Sequence, residues 1–393
     1  MRLGRTTRGD AVDGRGALMR RTAVSAVLLV LAATGLIIPG GRATAAGTPL
    51  STGLNADGQL GNGSTASRLT PGPVSLAGTI VQIASGREHA YALDGNGRIW
   101  AWGDNSKGAV GDGTSVDRPM PVRLALTSVI QVEAGHYHGI ALRADGTVWT
   151  WGYGNIGQLG LGTLTTRRTP TQVPGLTGIT AVAAGRDGSY ALRTDGTMWA
   201  WGNNQFGEVG DGTTTRRASP VRVNGVTNVV EIAGGRNHVL VRRSNGSVWG
   251  WGANEFGQLG DGTTTNRSVP KQLLAGPVAH IDTGAEHSLA LMADGTVRAW
   301  GRNQRGQLGI GSTASVRTSP QVVPGLNGIV EVGDGRDSSF AMNAAGNVWA
   351  WGYNDTGQLG DGTMATRRSP VPLGLTGIGF AQGGRGMTIF LPG

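Results

Sequence analysis

Cysteine is absent from all 393 residues. No thiol can act as a nucleophile, ligate zinc or switch by oxidation, so those three mechanisms are excluded. Disulfides are not required either, because a chain of this length can bury a sufficient core without them. Long apolar runs are missing with one exception, Thr22 to Ile38. A large basic excess is missing too, once the formal charge of +9 is apportioned. Seven of the 34 Lys and Arg lie in the first 46 residues, as do two of the 25 Asp and Glu, which leaves 27 against 23 for the remainder. That near balance gives no support to the clustered basic face that nucleic-acid binding needs. A G-x-x-x-x-G-K-S/T phosphate cradle is also absent.

The exceptional apolar run has the flanks of an export signal. Arg20 and Arg21 precede it, and Ala43-Thr44-Ala45 follows as a small-residue cleavage site. This layout predicts a signal peptide over residues 1–46 and a secreted, extracellular remainder, 47–393. An uncleaved anchor is the alternative, since the run approaches the lower limit of spanning length. The twin arginine leaves the export route open.

What the sequence has in abundance is glycine, 70 residues of it, in a fixed period. Trp102, Trp151, Trp201, Trp251, Trp300 and Trp351 each open a copy of one loop, such as WGNNQFGEVGDGTTTRRASP at 201–220, and Thr52-Gly53 stands where a seventh copy falls. A period near 50 means that each unit is one supersecondary element burying its apolar face against its neighbours. Within residues 180–223 four short β-prone runs are separated by glycine-bearing turns: 180–184, 189–193, 197–201 and 220–223. The Asp-Gly pairs Asp145-Gly146, Asp195-Gly196 and Asp294-Gly295, with Asn245-Gly246, predict type I′ hairpins. Four antiparallel strands repeated radially make an all-β, seven-bladed propeller. The chain enters at the third strand of a unit and leaves after the second, so the N- and C-terminal strands should pair in one blade and close the ring.

The pattern W-G-x-N-x-x-G-Q-L-G-x-G-T…R-x-x-P is met in Trp251-Gly252, Asn254, Gly257 to Gly260, Gly262-Thr263, Arg267 and Pro270, with Gly284, His287, Ala290 and Leu291 in the partner motif. This resembles the regulator of chromosome condensation repeat family, here a bacterial, exported member, and the resemblance spans residues 48–393. It implies a seven-bladed propeller. It also implies two activities as precedents: guanine nucleotide exchange on a small GTPase, whose founder carries a hairpin wedge in one blade, and, through a more distant similarity to a secreted β-lactamase inhibitory propeller, inhibition of a protein partner. Every unit here is 49 to 51 residues long, so no wedge is inserted.

Alternating strand direction puts the Gly-x-x-His turns and the long GQLGDGT loops on one rim, and loops on a rigid scaffold commonly carry binding residues. The turns vary most. They read Arg87-Glu88-His89, His136-Tyr137-His138, Arg186-Asp187, Arg236-Asn237-His238, Glu286-His287, Arg336-Asp337 and Arg385, and these are the candidate partner-binding residues. As a solvated crown of ion pairs they would contribute little. Arg68, Arg118, Arg167, Arg217, Arg267, Arg317 and Arg367 precede the loop prolines by three. They either clamp anions or tie their own loops to backbone carbonyls. His89, His138, His238 and His287 stand in register on different blades, too far apart to share one ion given sheets about 10 Å apart. A structural hydrogen bond is the other role open to them. The tryptophan pairs, Trp199 and Trp201 for example, should both pack between blades.

No nucleophile, base and orienter emerge at catalytic spacing, so no catalysis, cofactor or metal is expected. The sequence predicts an exported, monomeric, non-catalytic scaffold that holds an extracellular protein on its long-loop rim, as an inhibitor by the second precedent. An exchange-factor-like regulator, and a cell-wall polysaccharide or small-ligand binder or lyase, are the alternatives.

Overall fold

The computed structural model describes residues 47–393 and Met1; the proposed leader, with its apolar run and cleavage site, lies outside the described residues. The described chain forms seven four-stranded antiparallel sheets and contains no α-helix. In the Trp201 blade the strands run Ile179–Ala184, Gly188–Arg193, Met198–Gly202 and Arg217–Arg222. The first three match the apolar runs closely. The fourth begins three residues early, at the loop arginine, because Gly202 pairs with Arg217 across a register shift. Gly202 has φ of 107°, and a Cβ there would lie 2.3 Å from the Asp187 carbonyl oxygen. The glycine of each Trp-Gly pair therefore lets the long loop leave the sheet against the neighbouring turn.

The Asp-Gly hairpins correct the sequence expectation. Gly196 has φ of 75°, whereas Asp195 is not among the residues with positive φ, so the turn is not type I′. The Gly196 amide donates to the Arg193 carbonyl at 2.9 Å, and the Arg193 amide to the Thr197 carbonyl at 2.9 Å. This is a type I turn followed by a left-handed glycine, the three-residue loop with a bulge. The Asp195 carboxylate fixes it by accepting from the Thr197 amide at 2.9 Å.

The blades close as expected. Leu50–Gly53 pairs antiparallel with Met387–Pro392, Leu50 opposite Phe390 and Gly53 opposite Met387, so one sheet is built from both ends of the described chain. The core lies between blades. Trp201 packs with Ile140, Leu142 and Val148 of the preceding blade and with Ile179, Val182 and Ala191 of its own. Truncating such a side chain to alanine costs about 3–5 kcal/mol. Its indole N–H donates to the Gln158 carbonyl of the preceding blade's long loop at 2.9 Å, and Trp102, Trp151, Trp251, Trp300 and Trp351 make the same bond. The outer tryptophans differ from expectation. Trp100, Trp149, Trp199, Trp249 and Trp349 are half-buried, and arginine guanidinium groups cover three of them, Arg193 lying 5.5 Å from the Trp199 ring.

Candidate functional site at the channel mouth

The first-to-second strand turns surround the channel axis. The amide of the residue after each turn glycine donates to the next blade: Arg87 to the His136 carbonyl, His136 to Arg186, Arg186 to Gly235, Arg236 to Ala285, Ala285 to Arg336, Arg336 to Gly384, and Arg385 back to Arg87, at 2.9 to 3.3 Å. Seven backbone bonds thus form a closed hoop at the mouth. Its side chains line a cavity of about 350 Å³. The same turns touch the long loops, since the Asp187 carbonyl accepts from the Asn203 amide at 2.8 Å. Both loop classes share one rim, as strand direction required.

The three residues of each turn take three different directions. The first lines the mouth: Arg87, His136, Arg186, Arg236, Ala285, Arg336 and Arg385. The second pairs with the arginines. Arg87 lies 3.4 Å from Glu88, Arg186 3.2 Å from Asp187, Arg236 2.7 Å from Glu286, Arg336 3.5 Å from Asp337, and Arg385 3.1 Å from Glu88. Glu286 also bonds Arg302 of the adjoining strand. Arg87 stacks 5.2 Å from the Tyr137 ring, and Tyr137 sits 4.5 Å from His136. Burial, then the charges of Arg186 and Arg87, push His136 down to about 3, so it is neutral near pH 7. Burial raises Asp187, against the opposing pull of Arg186 and Arg236. Asn237 contributes its carbonyl to the Ala253 amide at 2.7 Å.

The third residue corrects the candidate list. His89, His138, His238 and His287 are fully buried and unavailable to a partner. His138 Nε2 lies 3.0 Å from Ser189 Oγ, His238 Nε2 2.9 Å from Ser288 Oγ, and His287 Nε2 2.9 Å from Ser339 Oγ, each across a blade boundary. The structural hydrogen bond, one of the two roles open from the sequence, is thus met at His138, His238 and His287, because the strand's entry into the sheet swings the third side chain off the rim and into the interface. Burial pushes His138 and His238 down to about 3 and His89 to about 4.

The loop arginines are ties: Arg68 and Arg317 donate to the expected carbonyls, of Pro73 at 3.4 Å and Val316 at 3.2 Å, whereas four others use a different partner. Arg118, Arg217, Arg267 and Arg367 bond the carboxylates of Asp112, Asp211, Asp261 and Asp361 in their own loops at 2.6 to 2.7 Å. In the Arg267 loop, Asn254 Nδ2 donates to Asp261 at 3.1 Å and to the Thr263 and Thr265 carbonyls at 3.1 and 3.2 Å, knitting the glycine-rich chain from inside.

Sequence reasoning missed one layer of the site. Glu133, Asp282, Asp334 and Gln382 also line the cavity, one or two residues before a turn glycine, where other repeats have Ala84, Ala183, Ala233 or Gly383. Their signal was there to be read as polar residues interrupting otherwise small or apolar runs.

Residues 40–249, more than half of the chain, match the RCC1-like domain, and residues 245–291, 294–342 and 345–382 match the regulator of chromosome condensation repeat. Among characterised relatives, the human X-linked retinitis pigmentosa GTPase regulator is 39% identical over 71 residues, 17% of this chain and 7% of that protein. The Arabidopsis thaliana ultraviolet-B receptor UVR8 is 35% identical over 74 residues, 18% of this chain and 17% of the receptor. The chain thus matches under a fifth of either relative's length. Prp20p from Saccharomyces cerevisiae superposes with a TM-score of 0.81 at 24% identity, covering 90% of this chain and 93% of its own. Human WBSCR16 gives 0.79 at 23% identity, covering 88% and 98%. These two likenesses concern the fold. The seven in-phase repeats, the closed ring and the matched residues together place this chain in the family of RCC1-like domains.

Proposed function

We propose that this chain is an exported, non-catalytic binding scaffold that holds a protein partner on the turn rim and blocks the surface it covers. The observation that carries this reading is the backbone hoop. It fixes five arginines and four acidic neighbours, Glu88, Asp187, Glu286 and Asp337, in one rigid, charge-patterned ring, so recognition requires no ordering of loops. Prp20p, the same fold, is described by its binding to Gsp1p and histones, which supports protein recognition by such a propeller. The leader-like first 46 residues support export.

Affinity capture from culture medium and wall extract tests the reading, with the wild-type chain beside a variant carrying alanine at Arg87, Arg186, Arg236, Arg336 and Arg385. One protein, identified by mass spectrometry and rebound as a purified component by the wild type alone, is the expected result. Equal capture by both chains, or capture of nothing, removes the rim as the binding surface. N-terminal sequencing tests export: a chain beginning near residue 46 in the medium is expected, and an intact chain confined to the cytosol overturns that part.

A further inference from the structure

Below the arginine hoop the channel changes chemical character. Glu133, Asp282 and Asp334 line the cavity together with Gln382, Ser85 and Thr283. Glu133 Oε1 accepts from Gln82 Nε2 at 2.9 Å and Gln131 Nε2 at 3.2 Å. Asp282 Oδ1 accepts from the Thr283 amide at 2.8 Å. Asp334 Oδ1 meets His287 Nε2 at 2.9 Å and Ser339 Oγ at 3.3 Å. The other oxygen of Asp334, in a residue only 4% exposed, has no hydrogen-bond partner. A buried carboxyl oxygen without a donor is unfavourable, and Asp334 is among the residues that line the cavity.

The shape of the donor follows from what surrounds it. Among the described residues no three His, Asp or Glu side chains converge closely enough to hold a metal ion. A primary ammonium asks for fewer carboxylates at contact distance, since neutral acceptors such as Thr283 and Gln382 can meet part of its three N–H donors. Burial raises all three carboxyls, and Asp334 adds to the effect at Asp282; a nearby ammonium acts in the opposite direction and favours their charged forms. The opposite charge stands above. Arg236 and Arg336 flank Ala285 in the hoop, where a methyl group stands in place of a longer side chain, three residues after Asp282. The acids precede the hoop residues by two to three positions, which is roughly 7–10 Å of extended strand. A cavity of about 350 Å³ falls in the range of small-molecule sites.

We propose that the axial cavity binds a small organic zwitterion, its primary ammonium held in the field of Asp334, Asp282 and Glu133 and its carboxylate or phosphate by Arg236 and Arg336. The site shares Arg236 and Arg336 with the proposed rim surface, but binding to the purified chain requires no protein partner. Isothermal titration calorimetry on the purified chain at low ionic strength tests it, with 4-aminobutyrate, 5-aminovalerate and O-phosphoethanolamine as probes and butyrate and propylammonium as single-charge controls. At least one zwitterion should saturate at one per chain, at least 10-fold more tightly than either control. The better of the carboxylate and phosphate probes identifies the anionic end. Asp334→Asn and Glu133→Gln should each weaken binding at least 10-fold, Asp282→Asn replacing the first if its unfolding midpoint falls. No saturation by any zwitterion, equal binding of a control, or unchanged affinity in the folded variants overturns the proposal.

Discussion

Ser189 Oγ links two blades through one oxygen: it donates to the Gln158 carbonyl at 2.9 Å and accepts from His138 Nε2 at 3.0 Å. Because its only proton goes to Gln158, the imidazole must carry its proton on Nε2, which fixes the tautomer. The same pairing recurs at His238 with Ser288 and at His287 with Ser339. Where the following blade has Val239 or Ala90 instead of a hydroxyl, the preceding turn has Gly188 or Met387, whereas His89 precedes a blade with Gly139 and makes no such bond. Ser189→Ala should therefore destabilise the chain by about 1–3 kcal/mol, since it strands a buried donor. Urea unfolding measures this, and a midpoint equal to wild type would show that the latch contributes nothing.

The imidazole also explains the turn glycine. A Cβ on Gly135 would lie 2.0 Å from His138 Cε1, whereas one on Gly185, whose turn has Gly188 in place of histidine, meets only the Gly235 carbonyl oxygen at 2.8 Å and more distant Tyr190 atoms. Gly135→Ala should cost about 2 kcal/mol more than Gly185→Ala, in the range of overpacking penalties. Equal unfolding midpoints for the two variants would assign the glycine requirement to the backbone contact they share.

The loop ties make a second internal comparison. Asp261 accepts from Arg267 at 2.7 Å, from Lys271 at 3.1 Å and from Asn254 at 3.1 Å. Burial tends to raise its carboxyl, but the Thr263 hydroxyl, Arg267 and Lys271 outweigh it and hold it below the usual range. Leu161 occupies the matching place in the Arg167 loop, so that arginine has no carboxylate from its own loop. Asp261→Asn should lower stability by about 1.5–3 kcal/mol, as for hydrogen bonds to charged groups, and Arg167→Ala by less than about 0.5 kcal/mol. Because the carboxyl is depressed, its contribution is present above pH of about 3.9 and is lost as pH falls through the folded value.

Much of this was legible in the chain. Trp201 and its five counterparts gave the period, and the phase of the strands at each end gave the closure. Strand direction gave the shared rim, with Arg87, Arg186 and their neighbours at the channel mouth. The Asp195-Gly196 turn was misread because the same dipeptide serves a type I turn when its carboxylate caps Thr197. The histidines were placed on the rim because the twist of a strand, which spacing does not encode, decides where its first side chain points. Glu133, Asp282 and Asp334 escaped notice because they convene only when seven first strands meet around one axis. Each alone is a polar residue in a short apolar run.

A buried ionic bridge gives the last prediction, through pH. Gln82 and Gln131 join the first strand of one blade to the next by accepting from a backbone amide and donating to a carbonyl. Glu231 occupies the same place and can only accept, taking the Ile281 amide at 3.2 Å. His280 then supplies the donors, contacting Glu231 through Nδ1 and Glu331 through Nε2, the latter at 2.9 Å, while Arg242 binds Glu231 at 2.6 Å. Burial tends to lower the His280 pKa, but the charges of Glu231 and Glu331 and their hydrogen bonds raise it well above the ordinary value of 6.5. A histidine raised on folding contributes fully below its unfolded pKa and loses that contribution as pH rises through the folded one. The difference in unfolding free energy between wild type and His280→Gln should therefore be constant from pH 5 to about 6.5, then fall by up to about 1.4 kcal/mol per pH unit as pH rises further. Taking the difference cancels the carboxyls that His280 does not touch. Urea unfolding of both at pH 5.5, 6.5, 7.5 and 8.5 measures it, and a difference that is flat across all four would show that His280 bridges the blades as a neutral ring.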